Sequence, residues 1–91
     1  MNVVWSARAQ ADVGRLYHFL ARNDLAAADA VLDLLVAGPD SLMDFPRLGP
    51  RLSQFDPREI RELRVHRYLL RYEVSGNEIR ILRAFHARED R

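Results

Sequence analysis

The chain has 91 residues, 48% of them hydrophobic and 30% charged, with a formal net charge of +1 and no cysteine. That is enough for one core but not two, and too apolar for a disordered chain. It excludes a disulfide or thiolate-metal framework, a strongly basic nucleic-acid binder, and any apolar run near the roughly 20 residues that cross a bilayer.

At the N-terminus there is no charged start followed by an apolar stretch, as a secretion signal needs, so the cytoplasm is the expected location and no membrane partner is expected. Asn2-Val3-Val4-Trp5 is too short for a helix and suits a strand, and Ser6 offers a hydroxyl cap for a helix starting at Ala7. From Ala7 to Arg22 the residues Ala9, Val13, Leu16, Tyr17 and Leu20 recur at helical spacing. Arg8, Asp12, Arg15 and Arg22 take the other side, with Arg8 and Asp12 four apart and spaced to pair. Phe19 falls on that polar side, where an exposed ring is a candidate partner contact. Asn23-Asp24 closes this helix and caps the next, which starts at about Leu25. Its apolar face is Ala28, Val31, Leu32, Leu35 and Val36, opposite Asp29 and Asp33. Gly38-Pro39 interrupts it, since proline removes a donor and clashes with the preceding turn. A restart through Leu42 and Met43 to about Phe45 is expected. A connection of about two residues between the two long helices makes them an antiparallel hairpin.

Pro46-Arg47-Leu48-Gly49-Pro50-Arg51 reads as a loop, and Leu52 to Pro57 as irregular chain. From about Arg58 the pattern changes to branched and aromatic residues alternating with charges, the mark of strands with two unlike faces. A reversal near His66-Arg67 and a tight turn at Gly76-Asn77 divide it into a three-stranded meander, with Leu70 and Tyr72 in the sheet core. The order strand, helix, helix, strand, strand, strand gives an α+β fold. It is a small, mostly antiparallel sheet of about four strands with a helical hairpin on one face, in one domain over residues 1–91.

Charge is segregated along the chain. Residues 1–57 hold five Arg and seven Asp, residues 58–91 nine Arg against five Glu and one Asp, and Lys is absent. His18, His66 and His86 are too scattered to form a close metal-ligand spacing, so no metal and no cofactor is expected. Glu59, Glu62, Glu73 and Glu78 alternate with arginines and read as cross-strand ion pairs. The segment Arg83-Ala84-Phe85-His86-Ala87-Arg88-Glu89-Asp90-Arg91 gathers an imidazole and several guanidiniums at a strand end. Such a group can do acid–base chemistry on RNA, and reads equally as a solvated tail.

Several stretches, in order, resemble the RelE/ParE superfamily of toxins from bacterial type II toxin–antitoxin systems. They are Ala7-Arg8-Ala9-Gln10-Ala11-Asp12, Phe45-Pro46-Arg47-Leu48-Gly49, Arg61-Glu62-Leu63-Arg64-Val65, Tyr68-Leu69-Leu70-Arg71-Tyr72-Glu73-Val74 and Ile79 to His86. The resemblance implies the same fold, and a choice between two activities. RelE-type members cut mRNA on the ribosome with a cluster of basic residues. Their arginine after the first tyrosine of the central strand corresponds to Leu69, and their two lysines to about Ile60 and Glu62. The tyrosine that follows their last strand has no counterpart up to Arg91, and only Arg88 matches. The resemblance therefore implies the ParE branch: a toxin that inhibits DNA gyrase by binding and is neutralised by a small, DNA-binding antitoxin. Antitoxin contacts are expected at Leu16, Phe19, Leu20, Leu35 and Tyr68, and target contacts at Arg64, Arg83, His86 and Arg88. The alternatives are a ribosome-dependent ribonuclease using Arg61, Arg83, His86 and Arg88, and an inactive member that serves only as a binding module.

Overall fold

The computed structural model describes residues 1–89. Four strands and three helices follow the expected order: β1 (Asn2–Trp5), α1 (Ala7–Ala21), α2 (Leu25–Ala37), α3 (Asp40–Asp44), β2 (Ile60–Val65), β3 (Tyr68–Ser75) and β4 (Glu78–His86). A single 3₁₀ turn, Ser53–Phe55, lies in the irregular stretch before the meander. In the sheet the order is β1-β4-β3-β2, with β1 parallel to β4 and the other pairs antiparallel. The fold is thus the expected α+β arrangement, and α3 is the restart after Gly38-Pro39.

Each boundary has a local cause. Ser6 accepts the backbone N–H of Ala9 at 3.0 Å and donates to the Leu82 carbonyl at 3.1 Å, so one hydroxyl caps α1 and ties it to β4. Asp24 accepts from the Ala27 N–H at 3.0 Å and caps α2. His66, at φ 54°, and Gly76, at φ 57°, supply the left-handed backbone of the two-residue hairpin turns.

Strand β3 alternates strictly, with Tyr68, Leu70, Tyr72 and Val74 buried on the face that meets the helices. Leu16, Leu35 and Leu42 come down on it from α1, α2 and α3. Tyr72 does more than fill space: its hydroxyl donates to the Pro46 carbonyl at 2.9 Å and accepts the Gly49 N–H at 3.1 Å, holding the loop 46–51 to the sheet. Gly49 is required at that contact, because a Cβ there would lie 2.5 Å from the Glu62 carbonyl oxygen.

The register of β4 shifts between the partners of Arg71 and Tyr72: Tyr72 faces Ile81 and Arg71 faces Arg83, leaving Leu82 as the extra residue of a bulge. Strict alternation from Ile79 and Ile81 would put Arg83 and Phe85 under the helices. With the bulge, Ala84 and His86 stand opposite Leu70 and Tyr68 instead, and Arg83 and Phe85 pair with Arg71 and Leu69.

Three expectations are corrected. Asp12 is 6% exposed and does not pair with Arg8; it holds Arg83, 71 residues away, because α1 turns that side onto the end of β4. Val36 is 57% exposed, since the last turn of α2 buries the adjacent Leu35 and turns Val36 outward. Of the four carboxylates expected to pair across strands, Glu62 does so with Arg71 directly opposite, whereas Glu59 and Glu78 pair along their own segment with Arg61 and Arg80, and Glu73 pairs with Arg58, which precedes β2.

Candidate functional site

A groove of about 630 Å³ opens between the second half of α1, the turn between β2 and β3, and the chain leaving β4. Its floor is Leu16, Leu20 and Tyr68, with Phe19, 65% exposed, on the rim. Arg15, Arg67, His86, Arg88 and Glu89 complete the wall. Helical periodicity builds the α1 side, since Arg15, Leu16, Phe19 and Leu20 fall on one stripe three and four residues apart. The bulge builds the other side, because it points His86 toward Tyr68 and sets the two rings edge-on at 5.3 Å.

Beyond β4 the chain is folded back by three bonds. Ala87 donates to the Arg67 carbonyl at 2.7 Å, Glu89 to the His86 carbonyl at 2.9 Å, and the Arg88 N–H to His86 Nδ1 at 3.1 Å. Arg15 then clamps the Glu89 carboxylate with both terminal nitrogens, and this bond raises the Arg15 guanidinium further above its ordinary range. Burial pushes the Tyr68 phenol up, against the opposing charge of Arg67. A second cavity, about 320 Å³, lies beside the groove and is lined by Arg64, Arg67, His86, Ala87 and Arg88.

The structure brings four of the five expected antitoxin contacts together in the groove: Leu16, Phe19, Leu20 and Tyr68. Leu35 is not among them; it is 1% exposed in the core and has no surface to offer. Of the expected target contacts, Arg64, His86 and Arg88 converge on the second cavity. Arg83 does not. Its guanidinium bonds Asp12 at 2.8 and 3.3 Å and lies over the Phe85 ring at 4.7 Å. Burial pushes the Asp12 carboxyl up, but bonds from Arg83 and the Ala84 N–H, with the charges of Arg83 and Arg15, outweigh it and hold the carboxyl below its ordinary range.

Nor do the four residues of the ribonuclease alternative form one group. Arg61 is tied to Glu59 and to the Gly49 carbonyl, each at 2.8 Å, and Arg83 to Asp12; only His86 and Arg88 share a cavity. At the positions of the RelE cations, Ile60 is 1% exposed, Glu62 is paired with Arg71, and Leu69 stands opposite Phe85. Arg71 itself lies between the rings of Phe55 and Phe85, at 5.1 and 5.3 Å. Asp90 and Arg91, the last members of the basic C-terminal segment, lie outside the described residues. Among the described residues no three of His, Cys, Asp and Glu gather as a metal site, and no helix is long and apolar enough to cross a membrane.

Sequence reasoning missed Arg15, Arg67 and Glu89. Arg15 had a signal, four residues before Phe19 on the same stripe. Arg67 and Glu89 had none, because a turn residue and a residue past the last strand carry no periodicity.

Comparison with known proteins gives one consistent family. Residues 3–91 match the family model described as the ParE toxin of the type II toxin–antitoxin system parDE. Toxin RelE3 of Caulobacter vibrioides is 34% identical over 94 residues, covering 99% of this chain and 98% of that protein. Toxin RelE2 of the same organism is 33% identical, covering 94% of each. Among solved structures, a chain of the chromosomal ParDE toxin–antitoxin system from P. aeruginosa superposes with a TM-score of 0.79 at 22% identity, covering 94% of this chain and 95% of that one; at that identity the likeness speaks for the fold.

Proposed function

This chain belongs to the ParE toxin family of type II toxin–antitoxin systems, and on that footing we propose that it arrests growth in the cytoplasm by binding DNA gyrase. The family brings an antitoxin partner with it. In this reading the antitoxin neutralises the toxin by seating an apolar helical segment on Leu16, Phe19, Leu20 and Tyr68. Leu25, Leu34 and Val36 on α2 are also exposed apolar side chains.

The observation that carries the reading is the absence of cations at the three positions where RelE-type members hold theirs. RNA cleavage without a metal needs several cations free to stabilise charge on the scissile phosphate. Here Ile60, Glu62 and Leu69 stand where three would be, and Arg61 and Arg83 are held by carboxylates. A toxin that only binds its target has no such need. The test is gyrase supercoiling with purified protein: inhibition is expected at concentrations that stop growth, and untouched supercoiling at those concentrations overturns the proposal. One observation favours the second reading, mRNA cleavage on the ribosome: His86 and Arg88 remain together, with His86 Nε2 left as the donor. Its mark is new transcript ends after induction, which the gyrase reading does not produce.

A further inference from the structure

Arg64, Arg67, His86 and Arg88 come from the end of β2, the adjoining turn and the chain at and beyond the end of β4, and they surround one cavity. Most of the other arginines of this chain are matched to carboxylates: Arg15, Arg47, Arg51, Arg58, Arg61, Arg71, Arg80 and Arg83 each hold one. Among the described residues Arg64, Arg67 and Arg88 hold none, and the Arg64 Nε donates to the His66 carbonyl at 2.9 Å. Like charges gathered at one strand end repel each other, and no carboxylate among the described residues offsets these three. The grouping becomes favourable when an anion lies between them. The imidazole is oriented for the same purpose. Its Nδ1 accepts the Arg88 N–H, which in the neutral ring leaves the proton on Nε2 as a further donor.

We propose that this cluster is a binding site for the phosphodiester backbone of DNA, with no reading of base sequence. The proposal rests on the gyrase reading, in which DNA is present at the target. Guanidinium forks match the two free oxygens of a phosphodiester, and arginines from separate elements can track successive phosphates. The free groups of arginine and of His86 are donors, and the phosphate oxygens that accept them are the same at every position of the strand. Phe19, exposed on the adjoining rim, offers a ring for an unpaired base where the duplex is opened. An acidic peptide is the competing occupant, and the experiment separates the two.

The experiment measures anisotropy of a fluorescein-labelled DNA oligonucleotide across a salt series, as single strand and as duplex, with an RNA of the same sequence and a polyglutamate peptide alongside. For three phosphates held by arginine, log affinity should fall against log salt with a slope of roughly −2 to −3. Arg67→Ala and Arg88→Ala should each weaken binding several-fold and flatten that slope by roughly 0.7–0.9, while Arg8→Ala, on the first turn of α1, leaves it unchanged. Circular dichroism checks that each variant is folded. Binding of either DNA form with these slopes supports the site, and equal binding of RNA supports it as shared phosphodiester chemistry. No DNA binding at low salt, binding of RNA or polyglutamate alone, or a slope indifferent to Arg67 and Arg88 overturns it. Gyrase inhibition that persists without DNA binding removes this site and leaves the functional reading standing; DNA binding without gyrase inhibition does the reverse.

Discussion

Asp12 is the buried acidic side chain among the described residues. It accepts from Arg83 and from the Ala84 N–H at 2.9 Å, just past the point where β1 stops covering β4. Asp12→Asn removes the charge from that junction and should cost about 1–3 kcal/mol in urea unfolding at pH 7. Because the folded carboxyl titrates below its unfolded value near pH 4, its contribution is complete above that value and is lost as pH falls through the folded one. The gap between parent and variant should therefore close below about pH 4; a gap that stays constant down to pH 2 would show that the carboxylate charge does not matter. Tyr72→Phe removes the single hydroxyl joining Pro46 and Gly49 to the sheet and should cost about 1–2 kcal/mol.

Among the elements, β3 pairs with β4 along its whole length and with β2 from Tyr68 to Glu73, and its helix-facing side chains are buried. Leu70→Ala and Tyr72→Ala should each cost about 2–5 kcal/mol, read as a shift in the denaturation midpoint at unchanged slope. Unchanged midpoints would mean that the buried face is misassigned. Gly49→Ala pushes a methyl into the backbone of β2 and should lower stability by about 1–3 kcal/mol while releasing the loop 46–51, seen as faster amide exchange at Glu62, whose N–H donates to the Pro50 carbonyl.

At the scale of the whole molecule, the groove separates side chains that build the toxin from side chains free to meet a partner. Phe19→Ala should leave unfolding within about 0.5 kcal/mol of the parent, because the ring is mostly in water. The same change should weaken antitoxin binding by more than about 1 kcal/mol in calorimetry, as an aromatic anchor on a groove rim does. Leu16→Ala, buried beneath it, should lower stability and binding together. Antitoxin binding unaffected by Phe19→Ala would move the interface off this groove. With the antitoxin seated on this groove, as proposed, the geometry would also give neutralisation a direct route. Arg67, His86 and Arg88 line both the groove and the basic cavity, so a segment seated in one covers part of the other.

Local pattern in the sequence was sufficient for the elements, their order and the antiparallel meander. Ser6, Asp24, Gly38-Pro39 and Gly76 act on their own neighbours, and alternation along Tyr68 to Val74 is enforced by the pleat itself. Four of the groove's residues were legible for the same reason, as a helical stripe and a strand end. The rest depended on contacts that no local pattern encodes. Asp12 found its partner 71 residues away, Leu35 faced inward only because α2 lies where it does, and one extra residue at Leu82 decided that His86 and not Phe85 meets Tyr68. Periodicity is set by sterics within a few residues, whereas the phase of a strand after a bulge and the mate of a buried charge are set by what the closed fold brings against them.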